Sequence, residues 1–100
     1  MVESGVDLNR NYGYNFGDGD NHDDPCSETY RGTGPFSEPE TRAMRDFLTA
    51  HKNEIKFVYN FHSYGNKFVI PFNGKFPNDL MTQNPQIHQI FNEIVQEGNF

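Results

Sequence analysis

The chain contains 100 residues, a length that suits one small domain at most. Aromatic residues make up 15% of it, which argues against disorder because disordered segments contain few of them. The formal net charge is -6 and no basic patch occurs, so neither nucleic acid nor an anionic membrane is an expected partner. No apolar run is long enough to span a bilayer, and no signal peptide is visible at the start.

The first third of the chain combines a short strand with a long irregular segment. Residues 2–8 form a weak strand candidate, and residues 9–36 are rich in Gly, Asn and Asp, which favour turns. A loop of this length inside a compact domain usually carries function.

A helix is then predicted from Ser37, which can act as the N-cap of a capping box with Glu40 three residues later. Glu38 and Pro39 suit the first turn of such a helix. Four apolar side chains follow at helical spacing and form one stripe: Ala43, Met44, Phe47 and Leu48. We expect this helix to end near residues 51–53.

The second half of the chain predicts two strands and another helix. Residues 55–61 (IKFVYNF) and 68–72 (FVIPF) are rich in β-branched and aromatic residues, and the first of these strands should be largely buried. An amphipathic helix is predicted from its apolar positions, with Gly98 suited to its C-terminal end: Ile87, Ile90, Phe91, Ile94 and Val95. The order of elements predicts an α/β fold with helices packed on a sheet.

Two groups of polar residues follow predicted strands, where the ligands of α/β sheets bind. Asn9 and Arg10 follow the first strand, and the run His62, Ser63, Tyr64 follows the second. The planar guanidinium of Arg10 can bind a carboxylate through two hydrogen bonds, although a loop arginine in a surface ion pair gives the same pattern. His62 suits a metal ligand or a base, although a lone histidine is more often a structural residue.

Four short motifs occur in one order and at compatible spacings. They are GVDLNRN at residues 5–11, PCSETYRG at 25–32, SEPET at 37–41 and FHSYG at 61–65. Together they resemble the pancreatic-type zinc carboxypeptidases of the carboxypeptidase A/B branch, in peptidase family M14. The resemblance implies that residues 1–100 are part of one carboxypeptidase domain. It also implies a fold that is a slice of the family's α/β/α sandwich, with a mixed central sheet.

The same resemblance implies roles for individual residues. By position, Asn9 and Arg10 resemble the pair that binds the C-terminal carboxylate of the substrate. Ser63 and Tyr64 resemble residues that line the subsites on the N-terminal side of the scissile bond. His62 resembles the third protein ligand of the catalytic zinc ion.

Two further positions resemble supporting residues of that family. Asp7 resembles a carboxylate that orients a zinc-bound histidine, and Cys26 resembles one half of a disulfide whose other half lies earlier in the family's sequence. The family's other zinc ligands come from an HxxE motif before this segment, and its catalytic Glu comes after it. No catalytic residue is therefore expected within the chain, which should be inactive alone although the complete enzyme would hold one zinc ion.

The implied function is zinc-dependent hydrolysis of C-terminal residues from peptides or proteins. The resemblance further implies an extracellular, lysosomal or vacuolar enzyme that is a monomer when complete. Two alternatives stay open. Beside a fragment of an active carboxypeptidase, the chain could be a catalytically inactive remnant of such an enzyme, or a module that binds C-terminal carboxylates without cleaving the peptide.

Two other patterns imitate metal sites. His51 and Glu54 form an HxxE spacing, but they follow Arg10 instead of preceding it, which is the wrong order for the family. The acidic run at residues 17–24 imitates a calcium loop, but Asp23 stands where that loop needs Gly and Thr29 where it needs Glu. A structural histidine and a solvated acidic loop are the favoured interpretations.

Overall fold

The computed structural model describes residues 5–18, 22–70 and 84–98. In chain order these contain a 3₁₀ helix at Leu8–Arg10 and two α-helices, α1 at Pro39–Ala50 and α2 at Pro85–Gly98. The chain divides into two compact units, Met1–Tyr59 and Asn60–Phe100. Across the described ranges, neither α-helix has the length and apolar character that crossing a membrane would require.

The predicted α/β fold, a slice of a sandwich with a mixed central sheet, is wrong for this structure. The described residues include no β-strand: residues 55–61 and 68–70 form no regular secondary structure, and residues 5–7 run irregularly into the 3₁₀ helix. The remaining residues of the predicted strands, 2–4 and 71–72, lie outside the described part. The physical reason is that β-branched and aromatic residues favour a strand only when neighbouring strands satisfy its backbone and pack its side chains.

Helix α1 confirms the predicted helix, but its first turn differs from the prediction. Pro39 occupies the first helical position, and Glu38 is the N-cap although its side chain makes no capping hydrogen bond. The predicted capping box of Ser37 with Glu40 is therefore wrong. The Ser37 hydroxyl instead donates to Glu38 Oε1 over 2.9 Å. The helix ends at Ala50, and the N–H of the C-cap His51 donates to Phe47 O.

Helix α2 confirms the second predicted helix. Asn84 Oδ1 accepts a hydrogen bond from the Ile87 N–H at 3.3 Å, which satisfies one of the free donors at the helix start. Its apolar positions are half-buried, and Phe91 lies against Phe68 with 5.8 Å between ring centroids. Gly98 is the last helical residue, as the sequence predicts.

The first unit has polar side chains at its centre. Asn11 is 0% exposed and Thr41 is 1% exposed. The apolar stripe of α1 is more open, since Met44 and Phe47 remain 47% and 58% exposed. This unit is therefore organised by hydrogen bonds that converge on Asn11, and these hydrogen bonds position the residues described next.

Candidate functional site

The 3₁₀ helix that carries Asn9 and Arg10 is capped by Asp7. Asp7 Oδ1 accepts a hydrogen bond from the Asn9 N–H at 2.9 Å, and Asp7 O accepts one from the Arg10 N–H at 2.9 Å. The Asp7 N–H donates in turn to Tyr30 O at 2.7 Å. The start of the 3₁₀ helix is thus fixed to a segment more than 20 residues later in the chain.

The side chain of Arg10 is half-exposed and only loosely paired. Its Nε lies 3.8 Å from Asp7 Oδ2, beyond hydrogen-bond distance, and the Arg10 side chain is 47% exposed. Among the residues that the structure describes, none accepts a hydrogen bond from the two terminal nitrogens of this guanidinium. These nitrogens form a planar fork that can bind a ligand carboxylate.

Asn11 follows Arg10 and uses its buried amide nitrogen to join three parts of the first unit. Nδ2 lies 2.8 Å from Arg31 O, 3.2 Å from Gly34 O and 2.7 Å from Ser37 Oγ. All three are acceptors for the two amide hydrogens. The Asn11 side chain therefore connects the 3₁₀ helix to the loop before α1.

The amide oxygen of Asn11 takes the place of a capping side chain for α1. Oδ1 accepts a hydrogen bond from the Thr41 hydroxyl at 2.6 Å and one from the Glu38 N–H at 3.3 Å. An N-cap residue normally supplies this acceptor itself. Here a residue 27 positions earlier supplies it, so the start of α1 depends on the position of the Asn11 side chain. The hydrogen bonds to Asn11 Nδ2 and Oδ1 are called the Asn11 network below.

A glycine makes room for the Asn11 network. Gly32 is buried and has a φ angle of +87°, in the region that side-chain-bearing residues rarely adopt. A Cβ atom at this position would lie 2.5 Å from Ser37 Oγ and 2.7 Å from Asn11 Nδ2. Any other residue at position 32 would therefore displace the network.

The described carboxylates of the acidic segment that imitates a calcium loop contact other residues of the same loop. Asp23 forms an ion pair with Arg31, whose guanidinium also lies 5.2 Å from the ring centroid of Phe16. Asp24 Oδ1 accepts a hydrogen bond from the N–H of Cys26, which is an exposed free cysteine. Both carboxylates are exposed and contact neighbours within the loop, which fits the solvated acidic loop favoured from the sequence; residues 19–21 of this segment lie outside the described part.

The described residues do not fit a complete zinc site. A catalytic zinc ion needs three protein ligands, and no group of three or more His, Cys, Asp or Glu side chains comes together in the described ranges. His51 Nδ1 and Glu54 Oε2 approach each other to 3.4 Å at the end of α1, and the His51 ring packs on Phe47. This HxxE pair therefore contacts helix neighbours, and no third ligand joins it within the described part.

The structure brings together one of the two predicted groups of site residues. Asp7 lies with Asn9 and Arg10 in the first unit, whereas His62, Ser63 and Tyr64 lie in the second. The latter three residues are exposed, with Tyr64 at 102%, and the peptide bond between Ser63 and Tyr64 is cis. The roles of all six residues stay predictions.

Sequence reasoning missed Asn11, although it stands within the motif GVDLNRN. Its partners lie 20–30 residues further along the chain, and no local pattern links them to it. The only local signal is its amide, which can both donate and accept, in a loop segment that must satisfy many backbone groups.

Comparisons with known proteins agree on one family. The sequence model described as zinc carboxypeptidase matches residues 2–99. Mast cell carboxypeptidase A of Homo sapiens is 44% identical over 68 residues, which is 68% of this chain and 16% of that protein. Carboxypeptidase A5 of Homo sapiens is 47% identical over 68 residues, covering 68% of this chain and 15% of that protein.

A relative from another organism matches the chain to a similar extent. The zinc carboxypeptidase of Simulium vittatum is 41% identical over 69 residues, covering 69% of this chain and 23% of that protein. The chain therefore spans less than a quarter of the length of each of these relatives. No solved structure matches the chain.

Proposed function

Because this chain belongs to the zinc carboxypeptidase family, we propose that it supplies the part of a zinc-dependent carboxypeptidase that binds the C-terminal carboxylate of the substrate. Asn9 and Arg10 carry this role. One observation supports it above all: no described residue accepts a hydrogen bond from the terminal nitrogens of Arg10, while the backbone that carries this side chain is fixed by hydrogen bonds. An arginine whose backbone is fixed and whose terminal nitrogens are open to a ligand suits a carboxylate site.

The charges around Arg10 favour a carboxylate that arrives from solvent. Asp7 Oδ2 is 3.8 Å from Arg10 Nε, so this pair is too long for a charge-assisted hydrogen bond. A substrate carboxylate that accepts two hydrogen bonds from the terminal nitrogens would make the shorter and stronger pair. The exposed Asn9 side chain can donate a further hydrogen bond from its amide. This donor set distinguishes a free C-terminus from an amide, which carries no charge.

The zinc chemistry of the family is assigned to the complete enzyme and not to the described residues alone. His62 would serve as one zinc ligand, with Ser63 and Tyr64 beside it in contact with the substrate chain. The partners of this site would be peptide or protein C-termini, and the complete enzyme would work as an extracellular, lysosomal or vacuolar monomer. The described residues lack a three-ligand cluster, so no hydrolytic step is derived from them.

Binding of a terminal carboxylate can be tested on the chain itself. Two fluorescent N-blocked peptides of one sequence would be titrated with the chain and followed by fluorescence anisotropy, one with a free C-terminus and one with a C-terminal amide. We expect tighter binding of the free acid, and Arg10→Ala should remove this preference. Arg45→Ala is the matched control, because Arg45 is an exposed arginine on α1 that pairs with its neighbour Asp46. Equal binding of the acid and the amide would contradict the proposal.

A further inference from the structure

Asn11 takes no part in the proposed carboxylate binding, yet its side chain is fully buried. A buried amide costs free energy unless its donors and acceptor are paired. Here the amide makes five hydrogen bonds, and no buried side-chain polar atom of the described residues is left without a partner. So complete a network fixes the orientation of the Asn11 side chain and with it the backbone beside Arg10.

The backbone of Asn11 closes the 3₁₀ helix that carries Arg10. Its N–H donates to Leu8 O at 3.2 Å, and its carbonyl accepts a hydrogen bond from the Phe36 N–H at 2.7 Å. The other end of the same helix is held by the Asp7 N–H, which donates to Tyr30 O at 2.7 Å. Both ends of the 3₁₀ helix are therefore tied to the segment of residues 30–36.

We infer that Asn11 is a positioning residue for Arg10: its buried side chain anchors the residue whose backbone closes the 3₁₀ helix, so that the backbone from which the Arg10 guanidinium reaches a carboxylate is held in place. This inference rests on the proposed function of Arg10. The loose 3.8 Å contact with Asp7 does not fix the guanidinium, so its position depends on the backbone that carries it. An arginine whose backbone is already ordered loses less conformational freedom on binding and therefore binds more tightly.

Thr41 allows the network to be weakened without touching the site. Its hydroxyl donates to Asn11 Oδ1 at 2.6 Å from within α1, and its side chain is 1% exposed. Thr41→Val removes the hydroxyl, whose one hydrogen is shared between Asn11 Oδ1 and Glu38 O at 3.0 Å, and adds no charge, whereas Thr41→Ser keeps the hydroxyl. Asn11→Asp is the stronger change, because it places an oxygen where Nδ2 now donates to the carbonyl groups of Arg31 and Gly34.

A double-mutant cycle with Arg10→Ala tests the inference, using the anisotropy assay with the free-acid peptide. We expect Asn11→Asp to raise Kd about tenfold and Thr41→Val about fivefold, the effect of one hydrogen bond, while Thr41→Ser restores binding. In the Arg10→Ala background neither change should weaken binding further, because the two residues act through the same contact. Amide hydrogen exchange at Arg10 should also accelerate in both variants, since its N–H belongs to the 3₁₀ helix.

The outcomes separate the inference from the proposed function. Two outcomes overturn only the role of Asn11. One is that Asn11→Asp or Thr41→Val weakens peptide binding further in the Arg10→Ala background. The other is that the Kd is unchanged in folded Asn11→Asp and Thr41→Val chains. An unchanged Kd in Arg10→Ala itself overturns the proposed function, and the inference with it. If Asn11→Asp does not fold, Thr41→Val with its Thr41→Ser control decides the question.

Discussion

The hydroxyl of Thr41 donates a 2.6 Å hydrogen bond to Asn11 Oδ1, and this contact joins the first turn of α1 to the residue after Arg10. The same oxygen accepts a hydrogen bond from the Glu38 N–H, so the side chain of Asn11 caps α1 while the backbone N–H of Asn11 closes the 3₁₀ helix. The hydrogen bonds at the start of α1 and the backbone position of Arg10 therefore both depend on Asn11, so a change at one of them should alter the other.

The first prediction concerns Gly32. Gly32→Ala should lower the free energy of unfolding by about 2 kcal/mol, because the methyl group meets the Asn11 network and the φ angle of +87° strains any side chain. Chemical denaturation followed by circular dichroism measures the loss. Gly34→Ala is the matched control, since a Cβ atom there would meet nothing within 4 Å. Equal stability of the two variants would show that the network tolerates displacement.

The second prediction concerns metal. The chain should show no tight zinc site in a calorimetric titration at neutral pH, because His62 has no cluster of partner ligands in the described part. His51→Ala and His62→Ala should leave the heat of any weak, nonspecific zinc binding unchanged. A single tight site that disappears in His62→Ala would contradict this expectation. A site that disappears in His51→Ala would instead point to the pair of His51 and Glu54.

The third prediction concerns catalysis. The chain by itself should not release C-terminal residues from N-blocked dipeptides, with or without added zinc, because the described residues include no complete metal site. Chromatographic detection of the free amino acid over hours provides the measurement, and a chelator provides the control. Turnover that the chelator abolishes would show that the chain is a functional enzyme. It would also favour hydrolysis over carboxylate binding alone.

The fourth prediction concerns self-association. Each unit exposes large apolar side chains. In the first, Phe57 is 65% exposed, Val58 63% and Tyr59 59%, and in the second, Phe61 is 90% exposed and Val69 58%. The three consecutive apolar side chains of the first unit are typical of a surface that another molecule covers, so we expect the chain to associate as its concentration rises. Sedimentation velocity over a concentration series would measure this, with Val58→Lys expected to reduce it. A monomer at every concentration would contradict the prediction.

The helices could be predicted from the sequence because their signals are local. Pro39 at the first helical position and the apolar spacing through Phe91 need only neighbours within a few residues. The strands could not be judged in the same way. The residues at 55–61 have the right composition, but a strand is decided by partners far along the chain, and the described residues supply none.

The same distinction between local signals and distant contacts applies to the candidate site. Arg10 could be proposed as a site residue because its chemistry is visible in one residue and its neighbours, whereas Asn11 was overlooked because its contacts are with Arg31, Ser37 and Thr41. The capping box at Ser37 was mispredicted for this reason too. The capping-box rule considers only neighbouring residues, and it predicted Ser37 as the acceptor for the free N–H groups of α1. In the structure, the Glu38 N–H donates instead to the distant side chain of Asn11.

A centre built on Asn11 and Thr41 also determines how the first unit responds to temperature. Exposure of apolar surface raises the heat capacity on unfolding and exposure of polar surface lowers it. The fully buried side chains here are polar, and large apolar groups such as Phe47 are already exposed. Unfolding of this unit should therefore change the heat capacity little for its size. Its free energy of unfolding would then change little with temperature. Cooling would lower that free energy less than it does in a domain with a hydrophobic core.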